Sequence, residues 1–135
     1  MADFRKSSGR FVFRNSNPKG SLTSSDCVIR AISIGMGLSW EETLTELVEV
    51  ALDIKDAPTA TKTYKEYFKR KGIPMEKQLR KPDRKKYTLN EFAKKKNSGT
   101  FVCNLANHLT VVVDGKIYDT WNHGRKTVGY YLEIK

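Results

Sequence analysis

HLTVVVDGKIYDTW, residues 108–121, is the stretch that decides the fold. Two runs rich in β-branched and aromatic residues flank Asp114-Gly115, the dipeptide that most strongly signals a two-residue hairpin turn. With Asp114 and Gly115 as the loop, Val113 lies opposite Lys116, Thr110 opposite Asp119 and His108 opposite Trp121. Opposed residues share a sheet face, so His108, Thr110, Asp119 and Trp121 point the same way. His108 and Asp119 become diagonal neighbours about 7–8 Å apart at the backbone, within side-chain reach. Asp114 lies six residues along the strand from His108, about 20 Å away. The register therefore selects Asp119, not Asp114, as the carboxylate that can orient His108.

Around this hairpin, FVCNL (101–105) and VGYYLEIK (128–135) read as two further strands. Before Gly99 the apolar period is helical. Val28, Ala31, Ile32, Gly35 and Met36 mark one face of a first helix that starts near Asp26 and ends at Gly35 and Gly37. Ser39 and Glu42 form a capping signature, and Leu44, Leu47, Val48, Ala51 and Leu52 line one face of a second helix. A third helix spans about Thr59 to Lys71, with Tyr64, Tyr67 and Phe68 inward and Gly72 as its stop. A short fourth begins at Thr88, with Glu91 three residues on and Leu89 and Phe92 inside. The expected fold is one α+β domain over residues 1–135. It comprises an extended arm and loop (1–25, with an extended patch at Phe11-Val12-Phe13), a mainly helical part (26–98) and a C-terminal antiparallel sheet (99–135).

Charge is uneven. Residues 62–96 hold fourteen Lys/Arg and four Asp/Glu, which accounts for the whole net charge of +10. Such a block suits a solvated face, an acidic protein or nucleic acid. Tyr64, Tyr67 and Phe68 at helical spacing read as core residues, which speaks against stacking on bases. No apolar run is long enough for a bilayer, and MADFRKSSGRFVFRN carries no apolar stretch of signal-peptide length. A cytoplasmic protein with free thiols and no membrane partner is expected. A zinc site would have to gather Cys27, Cys103, His108 and His123 from distant segments, so no metal or other cofactor is expected. Cys103, inside FVCNL, reads as an inert core thiol, and His123 has no evident partner.

The other cysteine is different. In SSDCVIRAIS (24–33), Cys27 opens the first helix. A helix N-terminus and a neighbouring imidazolium both stabilise a thiolate. An imidazole can shuttle the proton between nucleophile and leaving group, and a carboxylate behind it fixes its tautomer.

The order Cys27, His108, Asp119 resembles that of the papain-like cysteine peptidase superfamily, in which the cysteine opens a long central helix. Trp121, two positions after Asp119, resembles the tryptophan that covers the third triad residue there, where papain itself has Asn. DCVIRAI, SWEE, ANHLTVVVDGKIYDTW and KTVGYY together resemble small papain-like proteins encoded in bacterial and phage genomes. The resemblance implies a thiol hydrolase acting on an amide or isopeptide bond in a bacterial or host-cell cytoplasm, with Cys27, His108 and Asp119 catalytic. One departure stands out: Ser21 occupies the position, six residues before the cysteine, where papain has an oxyanion-binding Gln. The Cys27 N–H can supply one donor, and Asn17, or Asn15, a side-chain amide. The implied partner is a protein or peptide substrate, acidic if it meets the basic block. Two rivals keep the fold or the charge without the chemistry. One is a papain-like binding protein, such as a phage-encoded inhibitor of a host factor, and the other a nucleic-acid binder.

Overall fold

The computed structural model describes residues 9–23 and 25–135. Four helices and a six-stranded sheet alternate as β1 (Phe11–Phe13), α1 (Cys27–Met36), α2 (Trp40–Ile54), α3 (Thr61–Arg70), β2 (Met75–Glu76), α4 (Leu89–Lys95), β3 (Thr100–Leu105), β4 (His108–Val113), β5 (Lys116–Asp119) and β6 (Tyr131–Ile134). The sheet runs β1-β5-β4-β3-β6-β2. Among the described residues no helix is long and apolar enough to cross a membrane.

The hairpin forms in the expected register: Val113 pairs with Lys116, Val112 with Ile117 and Val111 with Tyr118. Asp114 (φ 48°) and Gly115 (φ 78°) both lie in the left-handed region, as a type I′ turn requires. Asp114 ties this turn to the start of β3, since its carboxylate accepts the Gly99 N–H at 2.9 Å. The β4–β5 ladder ends at Val111–Tyr118, three residues short of Trp121, and β5 continues to Asp119 against β1.

The sheet is mixed rather than antiparallel. The arm contributes β1, which pairs parallel with β5 (Phe11 with Ile117, Phe13 with Asp119). Parallel neighbours need a long crossover, here everything from α1 to β4, and no local sequence signal marks such a pairing. β2 adds a short antiparallel edge on β6.

Helices cover both faces. Val28, Ile32, Leu47, Tyr64, Tyr67 and Phe68 pack with Val102, Leu109, Val111 and Leu132 on one side. Leu89 and Phe92 pack with Phe101, Leu105, Val112 and Ile117 on the other. The strict alternation of strand side chains thus feeds two cores, which is why β4 reads as a continuous apolar run.

The capping boxes at Ser39/Glu42 and Thr88/Glu91 are formed by reciprocal hydrogen bonds. Two expectations fail. Leu52 is 64% exposed, because α2 buries Thr43, Leu47, Val50 and Ala51, a face rotated away from it. Gly35 does not end α1; Gly37 does, at φ 69°. Gly35 lies inside the helix, where an added Cβ would meet Val102 Cγ2 at 3.2 Å and Val111 Cγ2 at 3.4 Å. Its missing side chain lets α1 sit close on β3 and β4, bringing the start of α1 beside the start of β4.

Candidate active site

Cys27 is the first residue of α1, where backbone N–H groups have no acceptor within the helix. It is partly buried beside His108 and Leu109 at the start of β4, and both act on its thiol. His108 opens β4. Its Nε2 lies 2.6 Å from Asp119 Oδ2, at the end of β5, which leaves Nδ1 as the ring nitrogen facing the thiol. Asp119 is 5% exposed and fully engaged: Thr110 Oγ1 donates to Oδ2 at 2.8 Å and the Thr120 N–H to Oδ1 at 2.7 Å. The three residues that sequence reasoning placed together therefore lie together, with His108 hydrogen-bonded to Asp119 and beside the Cys27 thiol.

The electrostatics of the chain agree with its geometry. Burial pushes the Cys27 thiol up, but the hydrogen bonds from His108 and Leu109 N–H and the charges of His108 and Arg30 outweigh it, and the thiol lies below its ordinary range. His108 is pushed up to about 9: burial opposes its charge, while Asp119 and Cys27 favour it more strongly. Asp119 is lowered despite burial, chiefly by His108. The thiol and imidazole thus favour the thiolate–imidazolium pair, and a coupled pair of this kind titrates as a unit. Cys103 is the opposite case: it is fully buried in the sheet core, and burial pushes its thiol up.

Beneath the triad lies a buried ion network that the sequence reading overlooked. Asp26, at the N-cap of α1, pairs with Arg30 one turn on, and both are almost wholly buried. Arg30 also reaches to 4.0 Å from Asp119 Oδ1. Trp40 Nε1 donates to Asp26 Oδ2 at 2.9 Å, and Asn17 Nδ2 donates to the same oxygen at 3.0 Å. One guanidinium therefore links the residue before Cys27 to the carboxylate behind the His108 imidazole. The available signal was an Arg four residues after an Asp, inside the otherwise apolar stretch CVIRAIS.

The other anticipated residues occupy distinct places. Asn17 sits in the preceding loop with its amide turned to Asp26, and its Oδ1 accepts the Lys19 N–H. Ser21 shapes the same loop: its carbonyl accepts Asn15 Nδ2 at 2.9 Å. Trp121 is 51% exposed and lines a groove beside the triad. The ring that meets His108 is that of His123, tilted by 41° at 4.1 Å between centroids, a partner the sequence did not reveal. It lies in the loop after β5, where no local pattern predicts a contact.

His123 is pushed down to about 4, by burial first and then by the charge of His108. Below pH 6.5 the unfolded chain binds a proton on His123 that the folded chain refuses until about pH 4, so this residue costs stability as pH falls through that window. His108, raised, contributes its full share below 6.5 and does not add to the loss. In a Cys27→Ser background, where the thiol takes up no proton, urea midpoints should fall between pH 6.5 and 4.5. His123→Gln should flatten that slope.

Ligand atoms of His108, Asp119 and His123 lie within 4.8 Å of one another, so these three are the described residues that could share a metal ion. An ion there would compete with the His108–Asp119 hydrogen bond. Cys27 and His108 open into a cleft of about 390 Å³ lined also by Ser25, Thr59, Thr61, Asn104 and Asn107. No family model matches the chain, and neither a curated protein nor a solved structure matches it.

Proposed function

We propose that the protein is a papain-like thiol hydrolase that cleaves an amide or isopeptide bond in a cytoplasm, where its thiols stay reduced. The observation that carries this reading is the placement of His108 between the Cys27 thiol, which it lowers, and the Asp119 carboxylate 2.6 Å from its Nε2.

The Cys27 thiolate attacks the carbonyl carbon, a C–S bond forms, and the carbonyl π pair moves to oxygen. The Cys27 N–H, at the unpaired start of α1, offers a donor to that oxyanion. As the tetrahedral centre collapses, His108 Nδ1 delivers its proton to the leaving nitrogen and the C–N bond breaks. The resulting thioester is attacked by water, which gives its proton to His108, and the acid departs as the thiolate is restored. Asp119, held by Thr110 and Thr120, keeps Nε2 protonated and the ring in position through both half-reactions.

The direct test supplies an activated acyl donor. With p-nitrophenyl acetate, a burst of nitrophenol should accompany one acetyl group on Cys27, visible by intact mass and peptide mapping. Cys27→Ser should show neither. Acetylation spread over lysines, unchanged in Cys27→Ser, would overturn the proposal.

A further inference from the structure

A groove of about 720 Å³ is joined to the thiol cleft through His123, which lines the groove and meets His108 of the cleft. Arg10, Arg125 and Lys126 line it together with Asn90, Asn122 and Trp121, and among the described lining residues none is acidic. These cations lie outside the basic block of residues 62–96. His123 belongs to both places: it lines the groove, and its ring rests on His108.

The groove wall is fixed in place. The Lys126 N–H donates to the His123 carbonyl at 2.9 Å, closing the loop on itself. The same loop is clamped to the start of α4, with Leu89 N–H on the Lys126 carbonyl at 2.8 Å and Asn90 N–H on the Gly124 carbonyl at 3.0 Å. At Gly124 an added Cβ would lie 2.4 Å from Asn90 Nδ2, so the exposed Asn90 side chain would have to move aside. On the opposite side Arg10 is held by a hydrogen bond from Nη1 to the Gly115 carbonyl at 3.0 Å. The Arg10 guanidinium, anchored in this way, loses little side-chain freedom when it meets an anion.

We propose that this groove is the subsite for an acidic segment of the substrate, with Arg10, Arg125 and Lys126 meeting carboxylates next to the bond presented to Cys27. The assignment rests on the thiol-hydrolase reading for its link to catalysis. A peptide fits better than a nucleic acid. Binding of single strands needs several rings for successive bases, whereas the groove offers one exposed indole, and Tyr64, Tyr67 and Phe68 of the basic segment are buried.

The test is fluorescence anisotropy of a dye-labelled tetraglutamate peptide with the full-length Cys27→Ser protein at low salt. Binding is expected, weakened at least tenfold in Arg125→Glu/Lys126→Glu and in molar salt. Both substituted side chains are exposed, and circular dichroism checks that the fold persists. Equal affinity in the charge-reversal variant would overturn the assignment, as would an oligothymidylate of matched charge that binds this groove more tightly. Acetylation of Cys27 by p-nitrophenyl acetate needs no peptide. Normal acetylation without tetraglutamate binding sinks this inference alone, whereas binding without acetylation sinks the hydrolase reading.

Discussion

Arg30→Met should destabilise the fold by about 3–5 kcal/mol, the cost of removing one partner from a buried ion pair. Arg30 and Asp26 are 7% and 4% exposed, so loss of the guanidinium leaves a carboxylate that water cannot reach and that Trp40 and Asn17 satisfy only in part. The second carboxylate, Asp119, loses its nearest fixed cation besides His108. Urea unfolding of the single variants and of Asp26→Asn/Arg30→Met measures the coupling. The double variant should be more stable than Arg30→Met, because the buried charge goes with its partner. Equal stability of Arg30→Met and wild type would mean that the network is ornamental.

His108→Ala should lower the rate of Cys27 acetylation by p-nitrophenyl acetate by roughly 10²–10⁴, the range ascribed to a positioned acid–base group. Two losses combine. The thiol forfeits the hydrogen bond and the charge that hold it below its ordinary range. The base that takes the thiol's proton is also gone, whereas nitrophenoxide leaves without needing a proton donor. Asp119→Ala should fall between wild type and His108→Ala, since it removes the orienting contact at 2.6 Å but leaves the imidazole. A His108→Ala rate within a factor of about two of wild type would place the chemistry elsewhere.

Local patterns carried much of this site. The Asp-Gly turn set the strand register, and the register singled out Asp119 over Asp114; the structure gives Asp114 a structural task on Gly99 instead. Cys27 at a helix start followed from apolar periodicity alone. What escaped the sequence was non-local. β1 pairs with β5 across more than a hundred residues, and β2 is too short to have a period. His123 reaches His108 through a loop whose path depends on packing against Asn90. Arg30, which the apolar pattern of α1 passes over, is the centre of a charge network. Leu52 illustrates the reverse error: an apolar residue one position beyond the buried face of α2 points to solvent.

The central claim is that Cys27 is held as a thiolate by His108. The most direct measurement is the second-order rate constant for iodoacetamide alkylation of Cys27 from pH 5 to pH 10, resolved from Cys103 by peptide mapping. The account predicts that Cys27 already reacts at pH 6, roughly tenfold or more faster than a free thiol of pKa about 8.5, and that its reactivity has levelled off before an ordinary thiol begins to titrate. Cys103 should stay unlabelled in the folded protein. A Cys27 profile that follows the free-thiol curve, with no reactivity at pH 6, would contradict it.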